Sequence, residues 1–205
     1  MSRPLFQTSW FDPTFVFATS TLFSVVFIEG KEEDQSFDLR PLSEIPAVLF
    51  DYVLDPVFFA GLVVLLAARH LVGDNAKPMT DSESRSAGWY LWNAVIIHVM
   101  MDGFAGGHWG NRLLAENYKL LDVRFKDSAH PAEAASACLI VNMELFFHSL
   151  LTVIAYVGVV TKSAWRYEAE IVALVVQLVG TFFFVLPEFM TGCLNMVRCP
   201  CQWAC

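Results

Sequence analysis

Four apolar blocks, each about as long as one membrane crossing, constrain this chain more than anything else in it. They cover residues 46–68, 89–107, 137–160 and 169–190. A helix needs about 20 apolar residues to cross a hydrocarbon core roughly 30 Å thick. A fifth block, 14–28, is shorter and contains Ser and Thr, so it reads as a marginal span or an interfacial helix. It makes a poor signal peptide: only Arg3 is basic before it, and Glu29-Gly30 follow where small residues should mark cleavage. Only 17% of the 205 residues are charged, against about a quarter in soluble domains. The expectation is an all-α fold, a polytopic transmembrane helical bundle of four to five spans without a separate soluble domain. It divides into an amino-terminal extension (1–45), a membrane domain (46–192) and a Cys-rich tail (193–205).

The net charge of −8 argues against nucleic acid as a partner. Much of the acidity lies in residues 29–44, which read as a solvated connection, and residues 73–88 have the composition of a plain loop. Lys and Arg divide almost evenly between the two sides of a five-span bundle, so the positive-inside rule assigns no orientation. Cys193, Cys199, Cys201 and Cys205 crowd the end of the chain. They lack the paired C-x-x-C spacing of a zinc site, and Gln202 stands where a prenylation box needs Cys. The incidental reading is preferred, and such an end also fits a truncated or alternatively spliced chain.

Polar groups inside the apolar blocks carry the functional signal. An ionised carboxylate at mid-membrane costs about 3 kcal/mol even on the forgiving insertion scale. His98 and Asp102 are four residues apart in one block, and Glu144 and His148 are four apart in the next, with the order reversed. Spacing of i,i+4 puts each pair on one helix face. Consecutive spans run in opposite directions, so the reversal brings both carboxyls to one depth. Asp102 lies about 6 Å past its block's midpoint and Glu144 about 7 Å before its own, at 1.5 Å per residue. Two carboxyls and two imidazoles can therefore share one intramembrane pocket. Neighbouring carboxyls in a dry site share a proton more readily than they carry two charges. With His98 to orient or relay that proton, the group is equipped to protonate a carbon–carbon double bond and deprotonate an adjacent carbon. The cation formed between those steps needs aromatic or anionic neighbours, and Trp89, Tyr90, Trp92 and Phe104 are candidates. No metal and no other cofactor is required.

Blander readings stand beside this one. Polar pairs can simply hold helices together, and His148 can be a satisfied core histidine. Asp55 precedes Pro56, so a helix start at Pro56 capped by Asp55 accounts for it. A binuclear metal site of two His and two carboxylates is chemically open, but the repeated His clusters of a membrane di-iron oxygenase are absent.

The stretches "WNAVIIHVMMDGFAGG", "LLAENYKLLDVRF" and "CLIVNMELFFHSLL" resemble the emopamil-binding protein family, which shares the EXPERA membrane domain. The family's H-x-x-x-E is similar to His98-x-x-x-Asp102, its M-E to Met143-Glu144, and its D-x-R-[YF] to Asp122-Val123-Arg124-Phe125. Its Gln, Gly and Glu spacing reappears as Gln177, Gly180 and Glu188. The resemblance runs from about residue 46 to about 192. It implies a multi-pass protein of the endoplasmic reticulum membrane that shifts a double bond in a sterol, from Δ8 to Δ7. His98, Asp102 and Glu144 would be catalytic, while Trp92, His148, Gln177, Thr181 and Glu188 would bind or support substrate. Asp122 and Arg124 would hold the connecting loop. Partners would be a sterol or other polycyclic lipid and the membrane lipids, with assembly as a homodimer left open.

Departures from the family pattern open other readings. Asp102 is a methylene shorter than Glu, Thr181 stands where an acidic residue is usual, and the W-G-P after M-E is missing. The family's further span, with its substrate-contacting Asn and Trp, has no counterpart, since neither Asn195 nor Trp203 sits on such a span. One alternative is a paralogue that isomerises or cyclises a terpenoid or another secondary metabolite. The other is a non-catalytic protein that binds sterols or amphiphiles.

Overall fold

The computed structural model of the protein describes residues 12–31, 36–105, 113–126, 129 and 131–190, and the chain is mostly helical. Helix α1 (Pro13–Phe27) begins where Asp12 accepts hydrogen bonds from the Thr14 and Phe15 amides, with Pro13 at the first position. An antiparallel hairpin follows, β1 (Ile28–Lys31) against β2 (Ser36–Leu39), with Ile28 opposite Leu39 and Lys31 opposite Ser36.

The first long apolar block is broken in two. Helix α2 (Ile45–Val53) ends before Asp55, whose carboxylate accepts from the Val57 amide at 2.7 Å and starts α3 (Pro56–Val72). The span expected over 46–68 therefore begins at Pro56, because a proline with a capping Asp before it starts a helix more readily than it continues one. Gly73 ends α3 at φ +50°, a backbone conformation that suits glycine.

A capping box of Thr80 and Glu83 opens α4 (Asp81–Trp92). This helix runs without a break into a π-helical stretch (Asn93–Met101) and a last short turn, α5 (Asp102–Ala105). It forms the centre of the bundle. Asn93, Ala94, Val95, Ile96, His98, Val99 and Met100 are all buried, with α1 and α3 packed around them. Beyond it come α6 (Leu113–Leu121), a short 3₁₀ turn (Val123–Phe125) and α7 (Pro131–Asn142). Helix α7 passes through a second π-helical stretch (Met143–His148) into α8 (Ser149–Thr161), and Lys162 turns the chain into α9 (Arg166–Met190).

Among the described residues three helices are long and apolar enough to cross a membrane: Pro56–Asn75, Ala134–Thr161 and Arg166–Leu186. Only 11% of the last one's most apolar window is buried within the protein. Its apolar surface is therefore turned outward rather than into a core. The helix expected over 89–107 is not among the three, since Asn93, His98 and Asp102 dilute its apolar character. It can carry them because the other helices surround it. The block at 14–28 forms the short apolar helix α1, and Ala18, Leu22, Val25 and Val26 bury it against the central helix.

Candidate functional site

The two π-helical stretches face each other and hold His98, Glu144 and His148, and Asp102 follows the first of them at the start of α5. π-Helical turns close with i→i+5 bonds, are rare, and recur at functional sites. His98 Nδ1 lies 3.4 Å from Asp102 Oδ2 on its own helix and 3.1 Å from Glu144 Oε2 on the neighbouring one. His148 Nδ1 lies 2.5 Å from the same Glu144 oxygen. The two imidazoles stack, with centroids 4.3 Å apart and planes tilted by 38°. Both histidines are buried, and the two carboxylates are partly exposed. The reversed i,i+4 order thus does bring all four groups to one depth.

A cavity of about 230 Å³ opens on this cluster. His98, Asp102 and Glu144 form its polar wall. Helix α9 supplies the facing wall through Gln177, Gly180, Thr181 and Phe184. These positions share one helix face, being three, four and seven residues apart. A Cβ at Gly180 would come within 2.6 Å of Glu144 Oε1, so only a glycine leaves that carboxylate its present place.

Histidine 148 is not on the cavity wall. It stands behind Glu144, with Nε2 3.0 Å from the Ala173 carbonyl of α9. A carbonyl only accepts, so Nε2 donates that bond and Nδ1 is left to face the carboxylate. It contacts Glu144 rather than the cavity, where the sequence placed it against substrate.

The aromatic neighbours also differ from expectation. Trp92 is buried against Phe15, with centroids 4.7 Å apart, and Phe104 stacks on Tyr52 at 4.3 Å. Trp89 packs edge-on to Tyr90. None of them lines the cavity. Trp92 packs against α1, Tyr90 reaches Glu170 of α9, and Phe104 packs on Tyr52 of α2. The aromatic wall is instead Tyr118 from α6, Phe125 from the 3₁₀ turn and Phe184 from α9. Periodicity within α9 could have found Phe184, which is seven residues beyond Gln177. Tyr118 is brought in only by tertiary packing.

Asp122 and Arg124 close the end of this wall. Arg124 Nε donates to both Asp122 oxygens at 2.9 and 3.0 Å, and Nη2 reaches one of them at 2.5 Å. Its Nη1 donates to the Phe184 carbonyl at 3.1 Å, and the guanidinium lies 4.0 Å from the Phe184 ring centroid. The pair ties the connecting loop to α9 at a cavity residue. The side chain of Glu188 and the residues Cys193, Asn195, Cys199, Cys201, Trp203 and Cys205 lie outside the described residues.

His98, Glu144 and His148 each offer a ligand atom, and these atoms fall within 4.8 Å of one another. The cluster can therefore pass a proton between imidazole and carboxylate, or hold a cation. The Gln177 carbonyl oxygen is buried without a hydrogen-bond partner, which leaves it to accept from a group brought into the cavity. Compared with family models, with curated proteins and with solved structures, the chain matches none.

Proposed function

We propose that this is a multi-pass protein of the endoplasmic reticulum membrane, with four to five spans, that moves a carbon–carbon double bond in a sterol-like polycyclic lipid. One observation carries the reading: two carboxylates and a histidine meet at the wall of a largely apolar cavity, between helices whose outer surface is apolar. Chargeable groups are expensive in such surroundings and are kept there for use. The likeness of its motifs to the emopamil-binding protein family supports the same reading.

The roles follow from position. Asp102 and Glu144 are each in reach of His98 Nδ1, so one carboxyl donates a proton to the alkene while the other removes one from the neighbouring carbon. His98 passes the proton between them and resets the pair. Tyr118, Phe125 and Phe184 face the carbocation between the two steps and stabilise it with their ring faces. Gln177 and Thr181 hold a polar substituent of the lipid.

The cavity volume favours a second reading. At about 230 Å³ it falls below the roughly 300–1,000 Å³ of pockets that enclose a drug-sized ligand. A smaller terpenoid fits inside it, whereas a sterol would place only part of its rings there. Expression in cells lacking the Δ8-to-Δ7 sterol isomerase, followed by sterol profiling, separates the two. The sterol reading expects Δ7-sterols to return. With insertion verified, an unchanged Δ8 profile overturns that reading and passes the site to the smaller substrate.

A further inference from the structure

Side chains from both π-helical stretches bring potential ligand atoms within 4.8 Å of one another. His148 donates from Nε2 to the Ala173 carbonyl at 3.0 Å, so the lone pair of neutral His148 is on Nδ1 and faces Glu144. His98 turns its own Nδ1 to the same Glu144 oxygen and to Asp102. A proton on His98 serves one of these contacts. A cation at the centre serves all of them.

The ligand atoms of His98, Glu144 and His148 form a grouping that one first-row metal ion can draw together, with Asp102 beside His98. Tetrahedral Zn²⁺ with bonds of 2.0–2.1 Å to nitrogen and oxygen sets its ligand atoms about 3.3 Å apart. The cluster holds separations of 3.1 Å and 3.4 Å from His98 Nδ1 to the two carboxylates. The third, 2.5 Å between His148 and Glu144, has to open by somewhat under 1 Å. Charge points the same way: once the proton shared by the carboxyls is displaced, two carboxylates and two neutral imidazoles total −2, which a dication cancels. The Ala173 carbonyl already plays the orienting part that metal-binding histidines require of their second nitrogen. The cavity gives the ion a way in, since His98, Asp102 and Glu144 line it.

We propose that His98, His148 and Glu144, completed by Asp102, form a mononuclear site for a divalent transition ion, best suited to Zn²⁺. One consequence rests on the proton-handling role given above: the ion takes the lone pairs that the proton relay uses, so zinc inhibits the double-bond shift.

The test is zinc binding by the full-length chain, purified in detergent and stripped with chelator. Calorimetric titration with Zn²⁺ reads affinity and stoichiometry, and zinc K-edge X-ray absorption reads the ligand shell. One ion per chain is expected, with nitrogen and oxygen at about 2.0–2.1 Å and no sulfur. Glu144→Gln and His148→Asn should each weaken binding more than about tenfold, while His70→Ala, at an exposed histidine, should leave it unchanged. A sulfur shell near 2.3 Å would place the zinc on the cysteines and overturn the site. So would the lack of stoichiometric binding, or equal affinity in both ligand variants. If a variant does not fold, the ligand shell of the unmodified chain still decides. No substrate enters this assay, so a negative result removes the metal site and leaves the isomerase reading standing.

Discussion

Glu144 is held at three points, and each constrains what the others can do. His98 and His148 approach one of its carboxylate oxygens, and the bare backbone of Gly180 makes room for the other. Gly180→Ala should displace that oxygen and leave the fold intact, because the clash falls on the end of a side chain. A misplacement of about 1 Å costs on the order of 10²-fold in rate. Turnover should fall by that much with an unshifted melting temperature, and wild-type turnover in this variant would refute the placement. Much of this cluster was legible in the sequence, since two i,i+4 pairs of opposite order in successive apolar blocks define depth and face together. Trp92 and His148 were misplaced for one reason. Periodicity tells which residues share a face, but not which face meets the cavity and which meets α1 or α9.

At the scale of single elements, caps and latches do the positioning. Asp55 starts α3 by accepting from the Val57 amide, so Asp55→Ala should cost about 1 kcal/mol, read from thermal unfolding in detergent. At the opposite end of the bundle the Thr80 backbone N–H, and then Lys162 at 3.0 Å, draw the Glu83 carboxyl down to about 2 from an ordinary 4.5. A carboxyl lowered on folding adds stability that is full above its unfolded value and is lost as the pH falls through its folded one. Wild-type stability should therefore decline between about pH 4.5 and pH 2 in excess of that of Glu83→Gln. Equal acid profiles would show that Glu83 holds nothing in place. Arg124 is buried with Asp122 and reaches Phe184. Arg124→Met strands a buried carboxylate and should cost about 3–5 kcal/mol. The cap at Asp55-Pro56 could be read from residue types alone. The π-helical stretches could not, because their widened turns arise where helices pack, and no local sequence signal encodes them.

For the whole molecule, the order of helices sets sidedness. Helix α3 runs from Pro56 to Val72, and the proposed crossing by it puts the segment before α2 and the turn after α3 on opposite sides of the membrane. In sealed vesicles, an impermeant maleimide should label Leu42→Cys or Asn75→Cys, both exposed positions, but not both. Labelling of both would contradict the span. The apolar blocks made the mostly helical fold and its three long apolar helices readable, because helix length and lack of charge are written in the sequence itself. The placing of α1 against the central helix depends on tertiary packing, which block lengths do not encode. The central claim is that His98, Asp102 and Glu144 move protons together, and it is tested most directly by His98→Ala, Asp102→Asn and Glu144→Gln in one lipid-isomerase assay, with membrane insertion checked for each. Every substitution should lower turnover by at least about 10²-fold while all three proteins insert. Wild-type turnover in any one of them would contradict it.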